Sequence, residues 1–166
     1  MAQQYREGNW FGVPLGHGQM ALGLVARRPK RGGLLLGYFF GPPRKHAPDA
    51  AELQSLAARD VLLVCRFKEA PLHRGLWRVV GDCAKWRHKD WPMPAFLRKE
   101  GLSGRAIRIE YAQDNLTTPA RESEAAATDA ALPEDIVYDE IRLVETLNRL
   151  FAEQRPVTLD PGQWTR

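Results

Sequence analysis

Three of the five tryptophans fall between Trp77 and Trp91, in the run LWRVVGDCAKWRHKDWPMPAF, interleaved with Arg78, Lys85, Arg87, His88 and Lys89. Rings set among cations can stack on nucleic-acid bases, anchor a protein interface, or close a small core beneath a charged rim. Pro92 and Pro94 push Trp91 and Met93 toward extended backbone, so the segment is a stiff edge or loop and not helix interior. Stiffness lowers the entropic cost of presenting Trp91, Met93 and Phe96 to a partner. It equally suits a plug in which Trp86 and Trp91 cap a barrel-like core. The rarity of large exposed apolar patches on soluble proteins favours the plug.

Other chemistry-bearing patterns are sparse. There is no nucleophile elbow, phosphate-binding loop, dinucleotide fingerprint or HExxH, and His17, His46, His73 and His88 have no ligand spacing. His73 and His88 beside Arg87 and Asp82 could form an acid and base pair, but four scattered histidines read more simply as loop residues. Gly101-Leu102-Ser103-Gly104-Arg105 precedes a strand and not a helix, so a glycine turn is expected there in place of a phosphate cradle. Cys65 and Cys83 lack CxxC spacing, which argues against a zinc site or a disulfide scaffold. The expectation is a protein that is not an enzyme and has no metal or cofactor. Apolar runs too short to span a bilayer, and an N-terminus (MAQQYREG) without a leader pattern, place it in the cytoplasm with no membrane contact.

Charge is unevenly distributed. Residues 1–110 carry 19 Lys and Arg against 9 Asp and Glu, whereas residues 111–166 carry 5 against 11. The basic part could steer an anionic partner, but the simpler reading is that the acidic part folds back and neutralises it.

Elements to position these residues follow from periodicity. Phe11, Val13 and Leu15 alternate up to Gly16-His17-Gly18, a hairpin turn, and Met20, Leu22, Leu24 and Ala26 share one side of the return strand. Leu34 to Phe40 is apolar on both faces and should be central, ended by Gly41-Pro42-Pro43. Asp49 and Glu52 have capping-box spacing before a short helix. Strands at 61–67 and 76–80 are expected to pair antiparallel, and Ile107, Ile109 and Tyr111 mark a further strand. Residues 112–132 read as a polar loop. A helix over 133–152 carries Val137, Ile141, Val144, Leu147 and Phe151 on one face, with Glu134, Asp135, Asp139 and Glu140 near its N-terminus. A tail at 153–166 holds Trp164. The predicted fold is a single α+β, β-rich domain: a strongly twisted or partly closed, barrel-like antiparallel sheet of about six strands, one short helix and one longer C-terminal helix.

The segments Glu7-Gly8-Asn9-Trp10-Phe11-Gly12-Val13-Pro14-Leu15, Ala21-Leu22-Gly23-Leu24-Val25 and Leu36-Gly37-Tyr38-Phe39-Phe40-Gly41, then Trp86 and Trp91-Pro92-Met93-Pro94, occur in that order. Together they resemble the immunity protein 26 family of bacterial polymorphic toxin systems, over roughly the first two thirds of the chain. That resemblance implies a β-rich scaffold that binds and neutralises a cognate toxin encoded nearby, without catalysis. It carries no site residues with it. Candidate contacts are Trp86, Arg87, Lys89 and Trp91, with Asp135, Asp139 and Glu140 as an acidic alternative for a basic toxin. The competing reading is a nucleic-acid-binding barrel that uses the basic, tryptophan-containing surface.

Overall fold

A computed structural model describes residues 1–153, so Trp164 and the rest of the expected tail beyond Glu153 lie outside the described residues. The hairpin forms as its sequence dictates. Strands β1 (Asn9–Gly16) and β2 (Gln19–Arg27) are joined by His17 and Gly18, both with positive φ. Strand β3 (Leu34–Arg44) lies between β2 and β4 (Leu63–Lys68), which accounts for its apolar residues on both faces. It does not end at Gly41-Pro42-Pro43. The strand continues to Arg44, opposite Met20, across a register irregularity between Met20 and Leu22, the kind of place where a proline without an N–H is tolerated.

Helix α1 (Ala50–Ser55) starts at Asp49, whose side chain accepts from the Glu52 amide; the Glu52 carboxylate pairs with Arg44 instead of closing the capping box. Helix α2 (Ala70–His73) leads to β5 (Arg78–Asp82). The expected pairing of this strand with β4 is overturned: β5 pairs with β1, because the intervening Leu72 and Trp77 are buried and carry the chain across one face of the sheet. Strands β6 (Phe96–Glu100), β7 (Arg105–Glu110) and β8 (Arg121–Glu124) form a second sheet. The turn at 101–104 is a glycine turn, with Gly101 and Gly104 at positive φ.

The stretch read as a loop over 112–132 therefore contains β8, whose sequence RESE has no apolar residue to betray it. The helix expected from Pro133 begins later, as α3 (Glu140–Glu153), because residues 137–138 form β9 (Val137–Tyr138), parallel to β4. The fold is α+β and β-rich, with three α-helices, one of them long, among the described residues. In place of one antiparallel, barrel-like sheet there is a six-stranded mixed sheet, ordered β5-β1-β2-β3-β4-β9, and a three-stranded one, β6-β7-β8; the described pairings close neither.

Alternation along the strands divides the core in two. Phe11, Val13, Ala21, Val25, Leu35, Phe39 and Phe67 face α3 and Trp77, while Trp10, Leu22, Leu24, Leu36, Tyr38 and Phe40 face α1, Trp91 and the second sheet. In α3, Leu143 and Leu147 are buried with Thr146, and Ile141, expected on the apolar face, is exposed. On the first face Phe11 of β1 and Phe67 of β4 approach to 5.8 Å between ring centroids although two strands separate them. They meet because Gly23 and Gly37 stand between them: a Cβ at Gly37 would lie 2.6 Å from Phe67 Cε1, and one at Gly23 would overlap the tip of the Phe11 ring. Trp77 stacks on Phe11 with 3° between the planes.

On the second face Arg66 of β4 is buried between the sheets. Its guanidinium donates to Asp135 at 2.9 Å and to the Leu116 carbonyl at 2.8 Å, and lies 4.2 Å from the Tyr111 ring centroid. Asp135 also accepts from the Tyr111 hydroxyl at 2.7 Å. Removing one partner of a buried pair strands the other's charge. Asp135→Ala should therefore lower unfolding stability by about 3–5 kcal/mol, and Arg66→Met combined with Asp135→Asn should recover part of that loss in urea titrations. Gly23→Ala should cost about 1–3 kcal/mol through overpacking, and trimming the opposing ring with Phe11→Leu should make the double substitution cost less than the two single losses added together.

Candidate functional site

After β5 the chain leaves the sheet at Asp82 and forms the rim of a groove. The Cys83 amide donates to the Gly8 carbonyl at 2.7 Å, and Lys85 adopts a left-handed conformation with φ 58°, which reverses the chain. Trp86 comes to rest on Gly8, where a Cβ would meet its ring at 3.0 Å. A 3₁₀ turn over His88–Asp90 follows, and the Trp91 amide donates to the His88 carbonyl at 3.1 Å.

Trp91 closes the core. It is 4% exposed and packs edge-on against Trp10 at 5.7 Å, Tyr38 at 5.3 Å and Phe40 at 6.1 Å, with Trp86 stacked outside it at 6.4 Å. Two buried polar groups hold the segment from beneath. The Tyr38 hydroxyl donates to the Pro92 carbonyl, and Arg27, 2% exposed, reaches the His88 carbonyl at 3.4 Å while also binding Gln113 and the Ala26 carbonyl. Burial lowers the Arg27 pKa from its ordinary value and pushes the Tyr38 phenol up to about 12.

The groove has a volume of about 890 Å³ and runs between this segment and α1. The buried Trp10, Trp91 and Leu53 form its floor, Gln54, Leu56, Ala57 and Ala58 line it on the α1 side, and residues 82–87 with Asp90 line it on the other. Helix α1 sits close over β5, since a Cβ on Gly81 would lie 2.6 Å from Leu53 Cδ1. Sequence periodicity located α1 but not the face it covers, so Leu53 and the residues just after the helix, Leu56 to Ala58, were not among the candidates. Cys83 is a free, half-buried thiol whose pKa is raised by burial.

The structure separates the candidate contacts. Trp86 is half-buried, Arg87 and Lys89 are exposed, and Trp91 is interior. Arg87 forms a two-point pair with Asp90 at 2.9 and 3.2 Å. The acidic candidates lie elsewhere and do not form one patch. Asp135 is engaged by Arg66, Asp139 accepts from the Arg142 amide at 2.8 Å at the start of α3, and Glu140 lies in the first turn. The acid and base arrangement set aside above is also divided: His88 pairs with Glu7 at 2.5 Å, whereas Asp82 is bound by Asn9 and Arg6. Trp10, Trp77 and Trp91 are all buried, so their rings cannot stack on bases in this conformation.

All four tyrosines, Tyr5, Tyr38, Tyr111 and Tyr138, have raised pKa values, with burial the largest cause in each. A phenol whose pKa is raised on folding stays protonated in the native state while the unfolded chain ionises. Stability is therefore complete below the unfolded value near 10 and falls as pH rises through the folded values. Absorbance at 295 nm should show no phenolate step near pH 10 in the folded protein, and ionisation should coincide with cooperative unfolding and a change in tryptophan fluorescence.

No curated protein and no solved structure is significantly similar to the chain. Among the described residues no helix is long and apolar enough to cross a membrane. The family model described as Immunity protein 26 matches residues 6–107, which include β1 to β6, both short helices and the whole tryptophan rim of the groove. With that match covering more than half of its length, the chain belongs to the immunity protein 26 family.

Proposed function

We propose that this protein neutralises a cognate toxin by stoichiometric association and that the toxin docks on the groove between α1 and the segment around Trp86. Family membership supports an immunity role. The observation that carries the choice of surface is the groove itself: an aromatic wall and an apolar floor that are already in place, supported by buried contacts of Trp91, Tyr38 and Arg27. A preformed pocket needs little ordering on binding, and a partly exposed tryptophan at its edge is the residue type that dominates interface energetics. The acidic alternative is weaker, because Asp135 and Asp139 already serve the fold. Binding in the cytoplasm of the producing cell, to a toxin encoded next to this gene, is the arrangement the reading implies.

The adjacent toxin gene product should co-purify with this protein at one-to-one stoichiometry and lose its toxicity. Trp86→Ala should weaken the complex about 10–100-fold, as should Gln54→Trp, which fills the groove from an exposed position on α1, with thermal unfolding of both variants near that of the parent. Failure of every neighbouring gene product to bind would refute the reading.

A further inference from the structure

Resting on that reading, we infer that the groove takes an acidic segment of the partner, one that places an apolar side chain between Trp86 and the α1 wall and carboxylates against Lys85 and Lys89. Of the ionised side chains at 82–90, Asp82 is met by Arg6 at 3.5 Å and by Asn9, and Arg87 and Asp90 satisfy each other at two points. The Glu7 carboxylate is held by His88 and by the Arg28 amide at 2.8 Å. Lys85 and Lys89 remain, both exposed and neither forming an ion pair with a described residue. The carboxylates of the rim are thus already matched, and the surplus charge offered to an occupant is positive.

Lys85 lines the groove beside Trp86, and its left-handed backbone fixes where its side chain leaves the rim. Leu56, Ala57 and Ala58 with Trp86 and Cys83 give the groove an apolar stretch that suits an aliphatic or aromatic side chain, while Lys85, Gln54 and the already paired Asp82, Arg87 and Asp90 make up its polar lining. An occupant matching both features is an apolar residue flanked by Asp or Glu. Complementary rim charge acts mainly on encounter rate and selectivity, whereas the apolar anchor governs residence time.

Cys83 offers a direct readout, since it lines the groove while Cys65 is buried with its thiol pKa pushed up. The test uses the full chain with two synthetic peptides, each carrying a central Leu-Phe pair, one flanked by Glu and the other by Lys. At low salt the Glu-flanked peptide should protect Cys83 from alkylation and bind about tenfold more tightly than the Lys-flanked one. Lys85→Glu with Lys89→Glu, both at exposed positions, should reverse the preference. Equal binding, preference for the Lys-flanked peptide, or an unprotected Cys83 would each overturn the inference. Its failure is separable from that of the immunity reading: a toxin that binds the doubly substituted protein as fast as the parent refutes only the acidic segment, whereas peptide selectivity without any toxin binding refutes only the immunity role.

Discussion

The architecture depends on two missing side chains. Gly23 and Gly37 clear the face of β2 and β3 so that Phe11 and Phe67 can meet above them, and Trp77 then lies flat on Phe11. That stack fixes the path of the chain after β4. Having crossed the sheet with Trp77 buried, it can only return on the far edge, as β5 beside β1. The end of β5 is where the tryptophan rim begins, so the site on one face of the sheet is located by packing on the other. Close packing makes such transmission stiff, because a side chain added at either glycine has nowhere to go.

The part of the chain beyond the family match completes this body. Asp135, Asp129 and Glu122 neutralise Arg66, Arg108 and Arg98, of which the first and last lie inside the matched region. Strand β8 pairs along β7, β9 covers the edge of β4, and α3 supplies Leu143 and Leu147 to the core. Three acidic residues from the later part of the chain are thus spent on arginines of the basic part. Arg66 gives this its energetic weight, since a buried guanidinium without Asp135 would be far costlier than an exposed arginine without a partner.

Much of the body was legible. Alternation placed Phe11, Val13 and Leu15 on one side of β1 and identified β3 as central, because those patterns record burial directly. Pairing was less legible: nothing local in residues 78–82 indicates which edge they join, since that is decided by Trp77 and two distant glycines. Strand β6 was hidden because only Phe96 among its residues is buried, and β8 because none is. Pro133 suggested a helix start, yet β9 intervenes and Asp139 makes the N-terminal contact with the Arg142 amide. In the tryptophan segment, composition announced something unusual but could not divide Trp91, inside the core, from Trp86 at its edge. That division depends on Gly8, which lies far away in sequence and receives the Trp86 ring.

The groove divides its duties between two kinds of residue, and this bears on how such a protein can change. Its floor is core: Trp10, Trp91 and Leu53 cannot be altered without disturbing the sheet beneath them. Its uncompensated charge is that of Lys85 in the lining and Lys89 on the adjoining turn, neither of which forms an ion pair with a described residue. Substitutions at the rim should therefore be almost neutral for folding while altering which surface is attracted. A scaffold organised in this way can follow a drifting adversary through successive charge exchanges without approaching its own stability threshold.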